Sequence, residues 1–341
     1  MEEDQIPSKA APAPILKLFS HAFLCFSLIL FSCKQNDSPV IPEEPLITWN
    51  VQNTNITNNL KALYFTDALT GYAVGNSFPN DTNKLIKTTD GGNNWFRTPL
   101  DVYDTSSYNS VYFRNPLTGY VAGSRGKINK TVDGGENWIN LPTGSSSYLY
   151  DIKFFDTQNA VSCGTGGTII KTTDEGVTWS PAVTGTQNAL YCLYASPAGE
   201  AFTCGDAGTL LYSSNFGTTW ILLSSGTSYT LKSISFVNTN TGYVCGQAGT
   251  IIKTTNKGAN WSLLNSPISS EFTSVFFINE TTGFLTGDQG LIVKTVNGGE
   301  TFTRSNPVTQ NYLRSSFFIN AQTGWAAGEF GTVINTISGG D

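Results

Sequence analysis

Histidine is almost missing from this 341-residue chain: the single copy, His21, falls in a leader-like segment, and everything after it has none. That excludes Ser-His-Asp and Cys-His nucleophile chemistry and His-ligated metal centres from the main body of the protein. Charge is scarce too, at 13% of residues against roughly a quarter in an average soluble domain. The 19 Lys and Arg are outnumbered by 25 Asp and Glu, and a net charge of −6 argues against a nucleic-acid partner, which asks for a basic surface. Methionine occurs once. What is present is 39% hydrophobic residues, 12% aromatics and 34 glycines. That composition excludes a disordered chain, which is charged and aromatic-poor, and favours β structure over helix.

A long hydrophobic span is also lacking. The most apolar run, Leu18 to Ser32, reads LFSHAFLCFSLILFS and falls short of the roughly 20 residues that cross a bilayer. It ends in Leu30-Phe31-Ser32-Cys33, which resembles a bacterial lipobox, where a cysteine is lipidated and becomes the mature N-terminus. A lipid chain tethers a soluble domain without a spanning helix. The expectation is a signal peptide over residues 1–33, lipidation at Cys33, a polar tether over 34–46, and a location on a membrane of the cell envelope facing periplasm or cell surface. Glu2, Glu3 and Asp4 are out of place at the start of a signal; a chain starting near Leu16 would open with Lys17 and read as an ordinary one.

Residues 47–341 repeat one unit. Trp95, Trp138, Trp179, Trp220, Trp261 and then Phe302 follow at steps of 43, 41, 41, 41 and 41 residues. A Gly-aromatic pair marks the same units at Gly71-Tyr72, Gly119-Tyr120, Gly242-Tyr243, Gly283-Phe284 and Gly324-Trp325, with Asn159-Ala160 and Gly199-Glu200 read in its place in units three and four. Each unit holds four short β segments, best seen in the fifth as LKSISFV, TGYVCG, GTIIKTT and NWSLL. Four strands in about forty residues is the pattern of a propeller blade. The last unit lacks its fourth strand, and Ile47 to Val51, around Trp49, supplies an extra one at the other end. The fold expected is therefore all-β: a seven-bladed propeller of four-stranded blades, closed by pairing the N-terminal strand with the C-terminal blade, which removes two sheet edges.

Between third and fourth strands runs Thr88-x-Asp90-x-Gly92-x-x-Trp95, then Thr131-x-Asp133-x-Gly135-x-x-Trp138, then Thr172-x-Asp174-x-Gly176-x-x-Trp179. Later copies carry Asn215, Asn256, Asn297 and Ser338 in the Asp place, ahead of Trp220 and Trp261 in two of them. This resembles the Asp-box, or BNR, hairpin. An Asx side chain accepts backbone N–H bonds inside a tight turn and Gly supplies the positive φ. Asn keeps those bonds and loses the charge, so a turn clasp is expected rather than a calcium or catalytic carboxylate site.

The phrase TGYxxG…GxIxKTxDGGxxW, recurring from about residue 61 to the end, resembles the repeat of the photosystem II stability/assembly factor family within the BNR-repeat propellers. The resemblance covers nearly all of residues 47–341. It implies a seven-bladed propeller, a chaperone-like binding or assembly role, no catalytic residues and no cofactor. The family's basic patch has no clear counterpart, because Arg97, Arg114, Arg125, Arg304 and Arg314 form no cluster in the sequence.

Recognition usually sits on variable loops held by a rigid scaffold. Loops between blades and between second and third strands are expected to share one propeller face. Partner-binding candidates in the blade-joining loops are Tyr103, Tyr108, Tyr148, Tyr229, Phe272 and Tyr312; those in the second-to-third-strand loops are Asp206, Asp288 and Glu329, in register with Ser124, Thr165 and Gln247. Tyr among small polar residues suits adaptable protein-binding surfaces. The partner expected is a protein, with membrane proteins among the candidates, bound by a monomer. The alternative is a carbohydrate-binding or sialidase-like propeller, in which Asp206 and Asp288 would face each other across the mouth. Lys87, Lys130, Lys171, Lys253 and Lys294 recur in the third strand and read as stems lying over apolar neighbours. Cys163, Cys204 and Cys245 share one repeat position, with Cys192 apart; buried small hydrophobes are expected there rather than disulfides or a metal.

Overall fold

The computed structural model describes residues 49–76, 84–100, 106–266 and 268–339, all within the compact unit Glu44–Asp341. The leader, the tether, Cys33 and Tyr103 lie outside the described residues. The described residues form strands β1 to β28, numbered in chain order, in seven four-stranded antiparallel sheets. In the first blade β2 (Leu60–Phe65), β3 (Gly71–Gly75), β4 (Leu85–Thr88) and β5 (Phe96–Arg97) pair in sequence order. The first strand of every blade lies innermost: β2, β6 (Tyr108–Phe113), β10 (Leu149–Phe154), β14 (Leu190–Ala195), β18 (Leu231–Phe236), β22 (Phe272–Phe277) and β26 (Leu313–Phe318) stand side by side around a central channel.

The seventh blade is shared by the two ends of the chain. Its sheet runs β1 (Asn50–Gln52), β28 (Val333–Thr336), β27 (Gly324–Gly328), β26. β1 lies antiparallel to β28, with Asn50 opposite Asn335, Val51 opposite Ile334 and Gln52 opposite Val333. Trp49, just before it, is buried edge-on against Phe318, with centroids 5.9 Å apart.

In the blades that carry it, the Gly-aromatic pair binds one blade to the next. Tyr72 stacks on Phe113 of the second blade at 4.1 Å between centroids, Tyr243 on Phe277 at 3.5 Å, Phe284 on Phe318 at 4.1 Å, and Trp325 on Phe65 of the first blade at 3.6 Å. Tyr72 Oη also donates to the Gly134 carbonyl in the next blade's turn, and Trp325 Nε1 to that of Gly91. Such ring pairs add roughly 0.5–1.5 kcal/mol each beyond the area they bury. The glycine is needed because the blade's own phenylalanine lies over it: a Cβ on Gly71 would sit 2.4 Å from the Phe65 ring.

Strand pairing corrects the register in two blades. Ala160-Val161 and Ala201-Phe202, not Asn159-Ala160 and Gly199-Glu200, occupy the Gly-aromatic place. In the fourth blade the residue across from Ala201 is Ala195, so no ring lies over that position and a methyl group fits. Phe202 keeps the stacking role, on Phe236 at 4.7 Å.

The third-strand lysines reach across blade boundaries to the next turn. Lys87 Nζ pairs with Glu136 at 2.7 Å and Lys130 with Glu175 at 2.9 Å; Lys171 donates to Thr218 Oγ1, Lys253 to Gly298 O and Lys294 to Gly339 O. Four of them lie over the aromatic ring of their own blade, 5.2–5.7 Å from its centroid. Cys163, Cys204 and Cys245 are fully buried, and Cys192, apart in the repeat, lies on β14 opposite Cys204 of β15 (Ala201–Gly205), with sulfurs 2.9 Å apart. Burial raises all four thiols above their usual pKa.

Candidate functional site

The two faces of the ring differ in how their polar groups are used. On the Asp-box face they are consumed internally. Thr131 Oγ1, at the buried end of the third strand, donates to Asp133 and accepts from the amides of Asp133 and Gly135. Asp133 accepts from the backbone and side-chain N–H groups of Asn137, and these bonds hold its carboxyl down at about 2. Gly135 has φ 87°, which a side chain rarely adopts. Trp138 closes the turn by donating from Nε1 to Gly135 O. Asp90 makes the same bonds with Asn94, and Asp174 accepts from the amide and the hydroxyl of Thr178. Asn215, Asn256 and Asn297 accept the equivalent amide at 2.9–3.0 Å. Trp179 and Trp220 repeat the indole bond, while Trp95 donates to Gln52 instead and Trp261 packs edge-on against Phe236.

On the opposite face the two variable loop sets meet. Six short 3-10 turns join second to third strands, beginning at Ser124, Thr165, Asp206, Gln247, Asp288 and Glu329. The first amide of each donates to a carbonyl of the blade-joining loop, as Thr165 does to Tyr148 O and Glu329 to Tyr312 O. The turn tips protrude at left-handed φ, Phe330 among them, 65% exposed. Tyr148 and Tyr229 stand about half exposed on the same face.

At the centre of this face the channel opens, and its mouth is built by a sevenfold β-bulge. In every blade the second residue of the inner strand is skipped by the pairing, as between Leu60 and Ala62. A bulge re-aims a side chain out of the alternation. Here it directs Lys61, Asn109, Tyr150, Tyr191, Lys232, Thr273 and Arg314 into a recess of about 200 Å³ that Tyr312 also lines. The channel below holds about 390 Å³. The bulge ring was missed in the sequence, although its signal is there: a lysine, arginine, asparagine or tyrosine immediately after the first residue of six inner strands, and a threonine in the sixth blade.

Contacts in the mouth are unevenly shared. Tyr191 Oη donates to Asp206 Oδ1 at 3.0 Å, and its ring lies 5.0 Å from Tyr150 and 4.0 Å from Lys232 Nζ. Tyr312 donates to Glu271, whose other oxygen is 3.9 Å from Lys232. Burial, reinforced by these carboxylates, pushes both tyrosine hydroxyls well up. Arg314 pairs with Glu329 at 2.6 Å and lies over Tyr312. Among the described residues Lys61 has only the Asn109 carbonyl oxygen, at 2.9 Å. Burial, with the charge of Arg314 adding, lowers the Lys61 ammonium below its usual value. Deeper, Asp151 accepts from Lys153, Ser110 and the Leu193 amide. Below it Tyr64, Tyr112, Phe276 and Phe317 form an aromatic collar.

The sequence-derived candidates therefore divide. Tyr148 and Tyr229 stand on the exposed rim. Asp206, Glu329 and Tyr312 border the mouth as partners of its tyrosine and cations. Asp288 starts the equivalent turn of the sixth blade, is partly exposed, and its charge acts on the Tyr312 hydroxyl without a hydrogen bond to the ring of mouth residues. Tyr108 and Phe272 are corrected: both are fully buried first residues of inner strands, in the place Leu60 and Leu149 fill elsewhere, and Tyr108 Oη donates inward to Asn129. Among the described residues no cluster of His, Cys, Asp or Glu has metal-site geometry, and Arg314 is the only arginine lining the channel.

The fold and this mouth define a class: seven-bladed β-propellers with Asp-box hairpins, their variable loops and channel entrance on one face. Within that class the chain belongs to the photosynthesis system II assembly factor YCF48 family, whose model matches residues 41–200 and 253–341. Among solved structures it is similar to one described as YCF48 bound to D1 peptide, at 23% identity and TM-score 0.72, covering 85% of this chain and 97% of that one. It is similar to YCF48 from Cyanidioschyzon merolae at 16% identity and TM-score 0.71, covering 84% and 98%. A streptogramin B lyase structure shares the fold at 12% identity and TM-score 0.70, covering 85% and 98%. No curated protein matches the chain.

Proposed function

We propose that this protein is a non-catalytic binding or assembly scaffold, lipid-anchored through Cys33 to a membrane of the cell envelope, that recognises a protein partner as a monomer through its variable-loop face. The observation that carries this reading is the asymmetry of the faces. Asp-box polar groups are spent on turns and on neighbouring blades, whereas Tyr148, Tyr229 and Phe330 project around an open mouth on the other side. Exposed aromatics on a rigid scaffold suit protein recognition. Family membership supports it, since a YCF48 has been solved bound to a D1 peptide. A sialidase-like reading is less well supported. Asp206 and Glu329 are engaged by Tyr191 and Arg314, and the channel offers one arginine where substrate-carboxylate recognition would want several.

The test is affinity capture of the anchored protein from its native membrane, comparing wild type with Tyr148→Ala/Tyr229→Ala. A reproducible protein partner that the double variant loses supports the reading. A partner retained by the variant, or none at all, turns attention to a glycan array and a hydrolysis assay. Anchoring is checked separately by fatty-acid labelling, which Cys33→Ala should abolish.

A further inference from the structure

We infer that the bulge-built mouth of the channel is a binding site for a carboxylate, with Lys61 as its counter-ion, Arg314 beside it and the Tyr150–Tyr191 pair against the body of the ligand. Four observations lead there. Lys61 is a half-buried ammonium whose single contact is a neutral amide oxygen, and no carboxylate of the described residues lies within ion-pair distance of it. That amide is fixed in orientation, because Asn109 Nδ2 donates to Leu149 O and so must turn its oxygen to Lys61. Arg314, on the adjacent inner strand, brings a second positive charge, and its Nε is buried without an acceptor. The recess they line is open to solvent on the face that carries the exposed aromatics.

A buried cation without a counter-ion is costly, and a ligand anion that neutralises it recovers that cost on binding. The rest of the mouth selects the kind of anion. Glu271, Glu329 and Asp206 stand around the rim, and a doubly charged phosphate would meet their repulsion twice over. A monoanion with a flat or apolar body is favoured, since the two tyrosine rings, 5.0 Å apart, give it a surface to lie on. The carboxylate can belong to a free organic acid or to an acidic residue of a polypeptide. The site goes beyond the scaffold reading and does not depend on it.

The experiment is calorimetric titration of the full-length protein in detergent with benzoate and with benzamide, its neutral analogue. The same titration is run with Ac-Ala-Glu-Ala-amide and its glutamine counterpart. The expected result is that each acid binds about tenfold or more tightly than its amide, with the preference shrinking as salt is raised from about 0.05 to 0.5 M. Lys61→Met should abolish the preference and Lys61→Arg restore it, with thermal midpoints showing that both variants fold. Tighter binding of the glutamate peptide than of benzoate assigns the carboxylate to a polypeptide; the reverse assigns it to a free acid. Equal binding of acid and amide, or a preference unchanged in folded Lys61→Met, overturns the site. Failure of the membrane capture with the acid preference intact would remove the protein-partner reading and leave this one standing.

Discussion

Single residues carry strain that the repeat itself exposes. The second residue of each 3-10 turn sits at left-handed φ; in the third blade it is Gly166, in the fifth Ala248 at φ 53°. A left-handed conformation costs an L-residue roughly 1–2 kcal/mol, while glycine gives back roughly 0.5–1 kcal/mol in unfolded-state entropy. Ala248→Gly should therefore stabilise the protein by about 0.5–1 kcal/mol, read as a higher urea midpoint with an unchanged slope. Phe330 adopts the same strained φ with its ring 65% exposed, so Phe330→Gly should stabilise the fold in the same way while removing an aromatic from the surface. Residue-level reading from sequence did best where a side chain serves its own turn, as with Thr131 and Asp133. It failed where a neighbour two strands away decides: Tyr108 has the composition of a rim tyrosine and the position of a core leucine.

Among the elements, the Asp-box hairpin and the inner strand behave oppositely. The hairpin is local, and its spacing Thr-x-Asp-x-Gly-x-x-Trp makes it legible without a structure. Thr131→Ala would leave the buried Gly135 amide without its acceptor and should cost about 1–3 kcal/mol, measured by denaturant unfolding. Asp133 makes a pH-dependent contribution. Hydrogen bonds from Asn137 lower its folded pKa from the ordinary 3.8 to about 2, so its stabilisation is complete above about pH 4 and fades as pH falls through 2. Asp133→Asn should lie below wild type in urea midpoint at pH 6, and the gap should close between pH 4 and 2. The inner strand is the opposite case. Its bulge depends on pairing with the second strand, so a sequence read by strict alternation places Lys61 and Arg314 on ordinary strand positions and overlooks the ring they form.

For the molecule as a whole, closure rests on one seam. Its ends were readable because the last repeat lacks a strand that the first residues supply. The packing was not, since it depends on Trp325 meeting Phe65 across 260 residues of chain. Trp325→Ala removes that stack and the bond to Gly91 and should cost about 3–5 kcal/mol, lowering the thermal midpoint and raising protease sensitivity near β1. The same seam sets a timetable. β1 is among the first strands synthesised and its partner β28 the last, so at roughly 5–20 residues per second β1 waits on the order of 15–60 s before its ladder can form. Throughout that interval six blades can assemble around an open edge, and the molecule becomes a ring only when the final strand arrives.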